Sequence, residues 1–211
     1  ESGELNRVLG GGLVPGSAIL MGGAPGAGKS TLLLQVVSGL AERKRCLYIT
    51  GEESLAQVAL RAKRLQLPVD AVSVAAQTSL EAVFEYWDDY KPDVLVVDSI
   101  QVMHSESLET LPGSVSQVRE VAARLVQRAK QLGTVLILVG HVTKEGNIAG
   151  PRVLEHMIDT FLMLGGEDHS RFRMLRSVKN RFGAVNELGI FAMMETGMLD
   201  VENPSAIFLS R

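Results

Sequence analysis

One short stretch does more than any other to limit what this chain can become. Gly23-Ala24-Pro25-Gly26-Ala27-Gly28-Lys29-Ser30 fits the pattern G-x-x-x-x-G-K-S/T without a mismatch. Ser17 to Met21 before it reads as a strand, and Lys29 to about Arg43 after it reads as a helix. Strand, glycine-rich turn and helix in that order are the context the pattern needs. Glycines let the backbone wrap around a phosphate with its N–H groups pointing inward. The helix N-terminus adds partial positive charge at the same place. Gly23, Ala24, Pro25, Gly26, Ala27, Gly28, Lys29, Ser30 and Thr31 are therefore the expected cradle for ATP. Lys29 is expected to reach the β- and γ-phosphates, and the Ser30 hydroxyl to ligate Mg²⁺.

The rest of the chain supplies a frame for such a loop. Cys46 to Thr50, Val72 to Ala75, Val94 to Val97 and Thr134 to Val139 read as strands. Ser54 to Leu65, Leu80 to Tyr90 and Ser114 to Leu132 read as helices between them. In the last of these, Val115, Val118, Val121, Leu125, Ala129 and Leu132 form one apolar stripe at spacings of three and four. Gly133 stops that helix. Alternating strands and helices imply an α/β fold, with a mainly parallel sheet covered by helices on both faces. Beyond about residue 158 the character changes. Thr160 to Leu164, Arg171 to Val178 and Ile190 to Met194 read as an antiparallel extension of that sheet. With no Pro/Ser-rich linker and no repeat, residues 1–211 read as one domain.

Three further carboxylates are candidates for two roles. A phosphate loop of this kind needs an acid at the end of a neighbouring strand to hold the magnesium shell. Asp98, closing Val94-Leu95-Val96-Val97-Asp98, fills that place, where ligands bind in open α/β sheets. Hydrolysis also needs a group to activate water. Glu52 and Glu53 follow the strand ending at Thr50. If that strand neighbours the phosphate-loop strand, one of them points at the γ-phosphate. Position alone leaves both open, although Glu53, directly before Ser54, suits a helix cap better.

Composition narrows the partners. Net charge is 21 − 24 = −3, so no global basic signature for nucleic acid exists; a local basic patch remains compatible with that. The single cysteine, Cys46, excludes an internal disulfide and a multi-cysteine zinc site within this chain, and it reads as a buried structural thiol. No run of about 18 apolar residues marks a transmembrane helix. The chain starts at Glu1 without a methionine and reads as an excised piece of something longer.

Several stretches say more than phosphate binding. The opening Gly3 to Gly16 and the strand end Tyr48-Ile49-Thr50-Gly51-Glu52-Glu53 resemble the RecA-like ATPase core. Lys179-Asn180-Arg181-Phe182-Gly183 resembles the KNRFG signature of the RadA (Sms) family of bacterial DNA-repair proteins. The run Gly150 to Thr160 is similar to the same family. The resemblance implies a RecA-like P-loop ATPase core, in a family where a zinc module precedes it and a Lon-protease-like domain follows. Neither flank fits within this chain, so it reads as the central domain. Further implications are a ring, expected to be hexameric, that drives branch migration on single-stranded DNA in homologous recombination. Recombinase and replication-fork proteins are implied partners, with no membrane, in a bacterial cytoplasm. Within the resemblance, Glu52 matches the water-activating glutamate.

The resemblance also implies roles for residues far from the phosphate loop. Lys179 and Arg181, two apart on an extended segment, share a face. They are expected to reach the γ-phosphate held by a neighbouring subunit, as an arginine finger does. Two long connections, Gln101 to Gly113 and His141 to about Arg152, are expected to face the central channel. In the second, Lys144, Asn147 and Arg152 are the expected DNA contacts. His141 matches a position that senses the γ-phosphate. Two other classes remain to be separated from a DNA motor. A RecA-like assembly switch acting on a protein partner would show no response to DNA. A small-molecule kinase would need an arginine-rich lid, which the sequence lacks.

Overall fold

From the phosphate loop outward, the computed structural model places a strand, a turn and a helix where the pattern predicts them. It describes residues 3–9, 12–142, 150–167 and 169–201. A short helix α1 (Gly3–Leu9) precedes β1 (Ala18–Gly23) and α2 (Lys29–Leu40). The units β2 (Cys46–Thr50), α3 (Leu55–Arg64), β3 (Ser73–Ala76), α4 (Leu80–Tyr90) and β4 (Val94–Asp98) follow. Then come α5 (Val115–Leu132) and β5 (Val135–His141). The chain closes with β6 (Thr160–Gly165), β7 (Phe172–Asn180), β8 (Leu188–Met194) and β9 (Gly197–Asp200).

The strands form one nine-stranded sheet in the order β3-β2-β4-β5-β1-β6-β7-β8-β9. Pairing is parallel from β3 across to β6 and antiparallel from β6 to β9. The central strands are buried on both faces, as their unbroken apolar runs require. Alternate residues feed two cores. Ile19, Met21 and Val96 face α1, α2 and α3, whereas Leu20, Leu95 and Leu138 face α4 and α5. Local signals set the helix starts. Ser54, Ser79 and Ser114 each accept a backbone N–H three residues on, and Gln57 completes a reciprocal cap at α3. Cys46 is fully buried, and burial, with Asp93 nearby, pushes its thiol up to about 11. Among the described residues, no helix is long and apolar enough to cross a membrane.

Three details correct the sequence reading. Thr160 to Leu164 does not open the antiparallel extension. As part of β6 it runs parallel to β1, Ile19 opposite Thr160 and Gly23 opposite Leu164. The reason is a return path. β5 ends at the same edge as β1, so the chain must recross before another strand starts. Residues 150–159 do this, with Leu154 and Ile158 buried in the α4/α5 core. Secondly, β2 is not a neighbour of β1, because β4 and β5 lie between them. Thirdly, β4 is itself one strand removed from β1. The helix α1 and the strand β9 were not anticipated.

Asp159 fastens the far edge of this sheet. Its Oδ2 accepts the Ala18 N–H at 2.8 Å, and its Oδ1 accepts Arg181 Nη1 at 3.0 Å. The starts of β1 and β6 and the end of β7 are thereby tied together.

Candidate nucleotide site

The loop after β1 turns sharply into α2. Gly28 is the residue before the helix and sits at φ +101°, a left-handed conformation that favours glycine. Lys29 is buried and folds back over the loop, donating to the carbonyls of Gly23 at 2.6 Å and Ala24 at 2.9 Å. Burial pulls its ammonium down to about 8, a fall that Asp98 and Glu52 partly offset. The sign of the pH effect follows from this. Phosphate oxygens favour the charged lysine, whereas the free protein loses that proton near pH 8 instead of 10.5. ATP affinity should therefore hold below pH 8 and weaken above it, approaching about tenfold per pH unit. Titration of a fluorescent ATP analogue between pH 7 and 10 checks this. A flat profile in the parent, or the same slope in Lys29→Ala, would contradict it.

Ser30 and Asp98 meet although their strands are not adjacent. Ser30 Oγ donates to Asp98 Oδ2 at 2.5 Å, and the Tyr48 hydroxyl donates to the same oxygen at 2.6 Å. Tyr48 is buried, and burial, reinforced by Asp98, holds its hydroxyl well above its ordinary pKa. It stays a donor. Asp98 Oδ1 is buried with no hydrogen-bond partner among the described residues. An orphaned carboxylate oxygen beside a serine hydroxyl suits a hydrated, hard divalent cation. Ser30 and Asp98 thus fit Mg²⁺.

Glu52 and Glu53 part company one residue beyond Gly51. Thr50 Oγ1 accepts the Glu53 N–H at 3.0 Å and closes a tight turn. A Cβ at Gly51 would stand 2.5 Å from Val102, so only glycine lets this turn lie against the segment after β4. Glu53 is engaged by Arg61 of α3 through two bonds of 2.6 and 2.8 Å. Glu52 points to the phosphate-loop edge instead. His141 Nε2 donates to it, 2.8 Å from Oε2 and 3.0 Å from Oε1, and Ser99 Oγ donates to Oε1 at 3.0 Å. The His141 hydrogen bond holds the Glu52 carboxyl below its usual range against the opposing effect of burial; Ser99 and Lys29 lower it further. Glu52, Asp98 and His141 each bring a ligand atom within 4.8 Å of the others. His141 is the last residue of β5, not the loop residue beyond it.

The other expected site residues lie elsewhere. Lys179 pairs with Phe161, at the end of β6 aligned with the start of β1. That lies toward the edge opposite Gly23, three residues or about 10 Å along the strands at 3.3 Å per residue. Lys179 Nζ donates to the Glu155 carbonyl at 2.7 Å, and Arg181 pairs with Asp159. Neither reaches the phosphate loop of its own chain. Arg152 is exposed and lies 3.6 Å from Glu155. Lys144 and Asn147 lie outside the described residues. The connection Gln101 to Gly113 is not an open loop. It starts in a 3-10 turn (Ile100–Val102), and Gln101, Met103 and Ser105 are buried. Ser105 N–H donates to Gln117 of α5, and Glu81 of α4 accepts from Ser105 Oγ and from the Glu106 N–H.

Sequence reasoning missed Tyr48, Ser99, Gln101 and Arg173. Arg173 Nε of β7 donates to the Ala27 carbonyl at 3.2 Å, bracing the phosphate loop from the antiparallel side. Tyr48 left a signal. A tyrosine inside a buried strand needs a partner for its hydroxyl.

Comparison with known proteins adds the relationships. A family model described as "AAA domain" matches residues 3–147. The DNA repair protein RadA of Haemophilus influenzae is 62% identical over 208 residues, covering 99% of this chain and 45% of that protein. RadA of Escherichia coli is 60% identical with the same coverage. RadA of Listeria monocytogenes is 57% identical over 207 residues, 98% of this chain and 45% of that protein. The chain thus spans about half the length of the curated relatives it matches. Among solved structures, a KaiC-like protein from Pyrococcus horikoshii OT3 superposes with a TM-score of 0.76 at 18% identity, covering 93% of this chain and 94% of that one. A RadB recombinase superposes with a TM-score of 0.72 at 21% identity, covering 95% and 97%. Both neighbours share the RecA-like fold.

Proposed function

The chain belongs to the AAA-domain family and is similar along nearly its whole length to DNA repair protein RadA; from that premise we propose that it is the ATP-hydrolysing core of a DNA-dependent motor in recombinational repair. In this reading residues 1–211 are a single RecA-like domain of a longer bacterial cytoplasmic protein. Rings of it, hexameric by our reading, grip single-stranded DNA and drive branch migration.

The observation that carries the reading is the convergence of Lys29, Ser30, Asp98, Glu52 and His141 at one sheet edge. Lys29 holds the β- and γ-phosphates, and they favour its charged form. Ser30 directly, and Asp98 through water, would hold the metal ion. Bound Mg²⁺ would neutralise charge on the β- and γ-oxygens. Glu52, ionised and held by two donors, orients a water against the γ-phosphorus and takes its proton. A new P–O bond forms, the bond to the β–γ bridging oxygen breaks, and ADP leaves with phosphate. Hydrogen bonds from His141 and Ser99 make Glu52 a weak base while both persist. His141 turning to the γ-phosphate would free Oε2 for the water. Lys179 and Arg181 supply the opposing charge to the site of the adjacent subunit.

The test is turnover of the protein at its natural length, with and without single-stranded DNA at low salt. A rise with DNA is expected, and it should fade as salt screens the phosphate contacts. If DNA alters neither turnover nor assembly, the motor reading fails and a protein-directed switch takes its place.

A further inference from the structure

We propose that Gln101 is a positioning residue that fixes the end of β5 and, through it, the orientation of Glu52. The inference rests on the role given to Glu52 above. β4 ends at Asp98, opposite Val139. β5 runs two residues further, to His141, with β1 still paired on one side, Gly23 opposite His141. On the β4 side the ladder has stopped. The side-chain amide of Gln101 continues it. Its Nε2 donates to the His141 carbonyl at 3.1 Å, and its Oε1 accepts the His141 N–H at 3.2 Å. One side chain thus supplies both halves of a strand residue's bonding.

The location gives this clamp mechanical reach. Gln101 is buried, and a buried amide is costly unless both ends are satisfied. Ser99, two residues earlier, touches Glu52 directly, while Gln101 touches the backbone of the histidine that holds Glu52. The next residue, Val142, donates to the Gly23 carbonyl at 3.0 Å, the same oxygen that accepts Lys29. The last residues of β5 are therefore linked to the candidate base through a side chain and to the phosphate-loop lysine through a shared carbonyl. A shift of His141 or Val142 would be transmitted to both groups, and Gln101 sets the position from which it starts. DNA that shifts the end of β5 would act on Glu52 through this route.

Two variants in the natural-length protein test the clamp. Gln101→Met keeps length and burial and removes both bonds. Its ATP affinity should stay within about twofold of the parent, whereas kcat should fall on the order of ten- to a hundredfold. Stimulation by single-stranded DNA should be lost. Gln101→Glu is a switchable version. A protonated carboxyl presents one donor and one acceptor as the amide does; an ionised one keeps only acceptors and repels the His141 carbonyl. The ratio of its turnover to the parent's should fall as pH rises through the introduced carboxyl's titration. A merely structural role predicts a lower melting temperature and a flat ratio. Parent-like kcat and stimulation in Gln101→Met, or a flat ratio in Gln101→Glu, overturns the proposal. Absence of stimulation in the parent would sink the DNA reading alone, because basal kcat and the pH ratio still decide the clamp.

Discussion

Glu52→Gln protein should bind ATP with nearly parental affinity and hydrolyse it about 10²–10⁴-fold more slowly, the usual contribution of a positioned general base. The substitution is nearly isosteric. The amide oxygen can still accept from His141 Nε2, and the amide NH2 can donate to Ser99 Oγ, reversing the bond that Ser99 makes to the carboxylate. What disappears is the ability to take a proton. Lys29 loses one of its two compensating carboxylates, so its ammonium should move slightly further below 8. Affinity near pH 8 should dip accordingly while remaining parental at pH 7. Glu53→Gln is the control. It breaks a pair with Arg61 that is partly open to solvent and should leave kcat within about twofold, since such pairs contribute little. Single-turnover hydrolysis of both proteins decides the matter. If Glu52→Gln keeps near-parental turnover, the base lies elsewhere.

Arg181→Ala protein should bind ATP normally but lose about 10³–10⁵ in turnover, the range expected for a finger. Mixing it with Lys29→Ala protein should restore part of that loss. Each variant lacks a different half of the site, so a mixed junction carries one intact pair. The fold should survive, because Asp159 keeps the Ala18 N–H when Arg181 is removed. Arg181→Lys preserves charge but not the planar fork, and should recover only a fraction. Unchanged turnover in Arg181→Ala would remove it from the chemistry. Normal turnover loss with no rescue on mixing would place its action within one chain, against its position at the far edge.

Much of this was legible in the residues because the relevant signals are local. The phosphate loop is contiguous, and Asp98 stands out as a charge closing an aliphatic run. Helix starts at Ser54, Ser79 and Ser114 carry their own caps. Strand order was not legible. Nothing within Cys46–Thr50 says that two strands intervene before β1, so the reason offered for Glu52 was mistaken although the residue still reaches the phosphate-loop edge. The direction of β6 depended on a return path through Leu154 and Ile158, which read as an irregular stretch. Ser99 and Gln101 find their partners 40 and more residues away, through geometry that only the closed sheet creates. Glu53 was the exception. Arg61, eight residues on and facing back along α3, was a partner that helix geometry could have identified.

The two ends of β1 carry different chemistry, and if Arg181 acts across a subunit boundary, as proposed, that polarity restricts the stoichiometry of the active species. With Arg181 acting in trans, a two-fold pair joined through like edges would complete neither site. Head-to-tail contacts match one edge with the other, and such contacts propagate until they close. An open chain of n copies would hold n − 1 complete junctions, a closed one n. Specific activity per copy should therefore rise with protein concentration and level off only when no end remains.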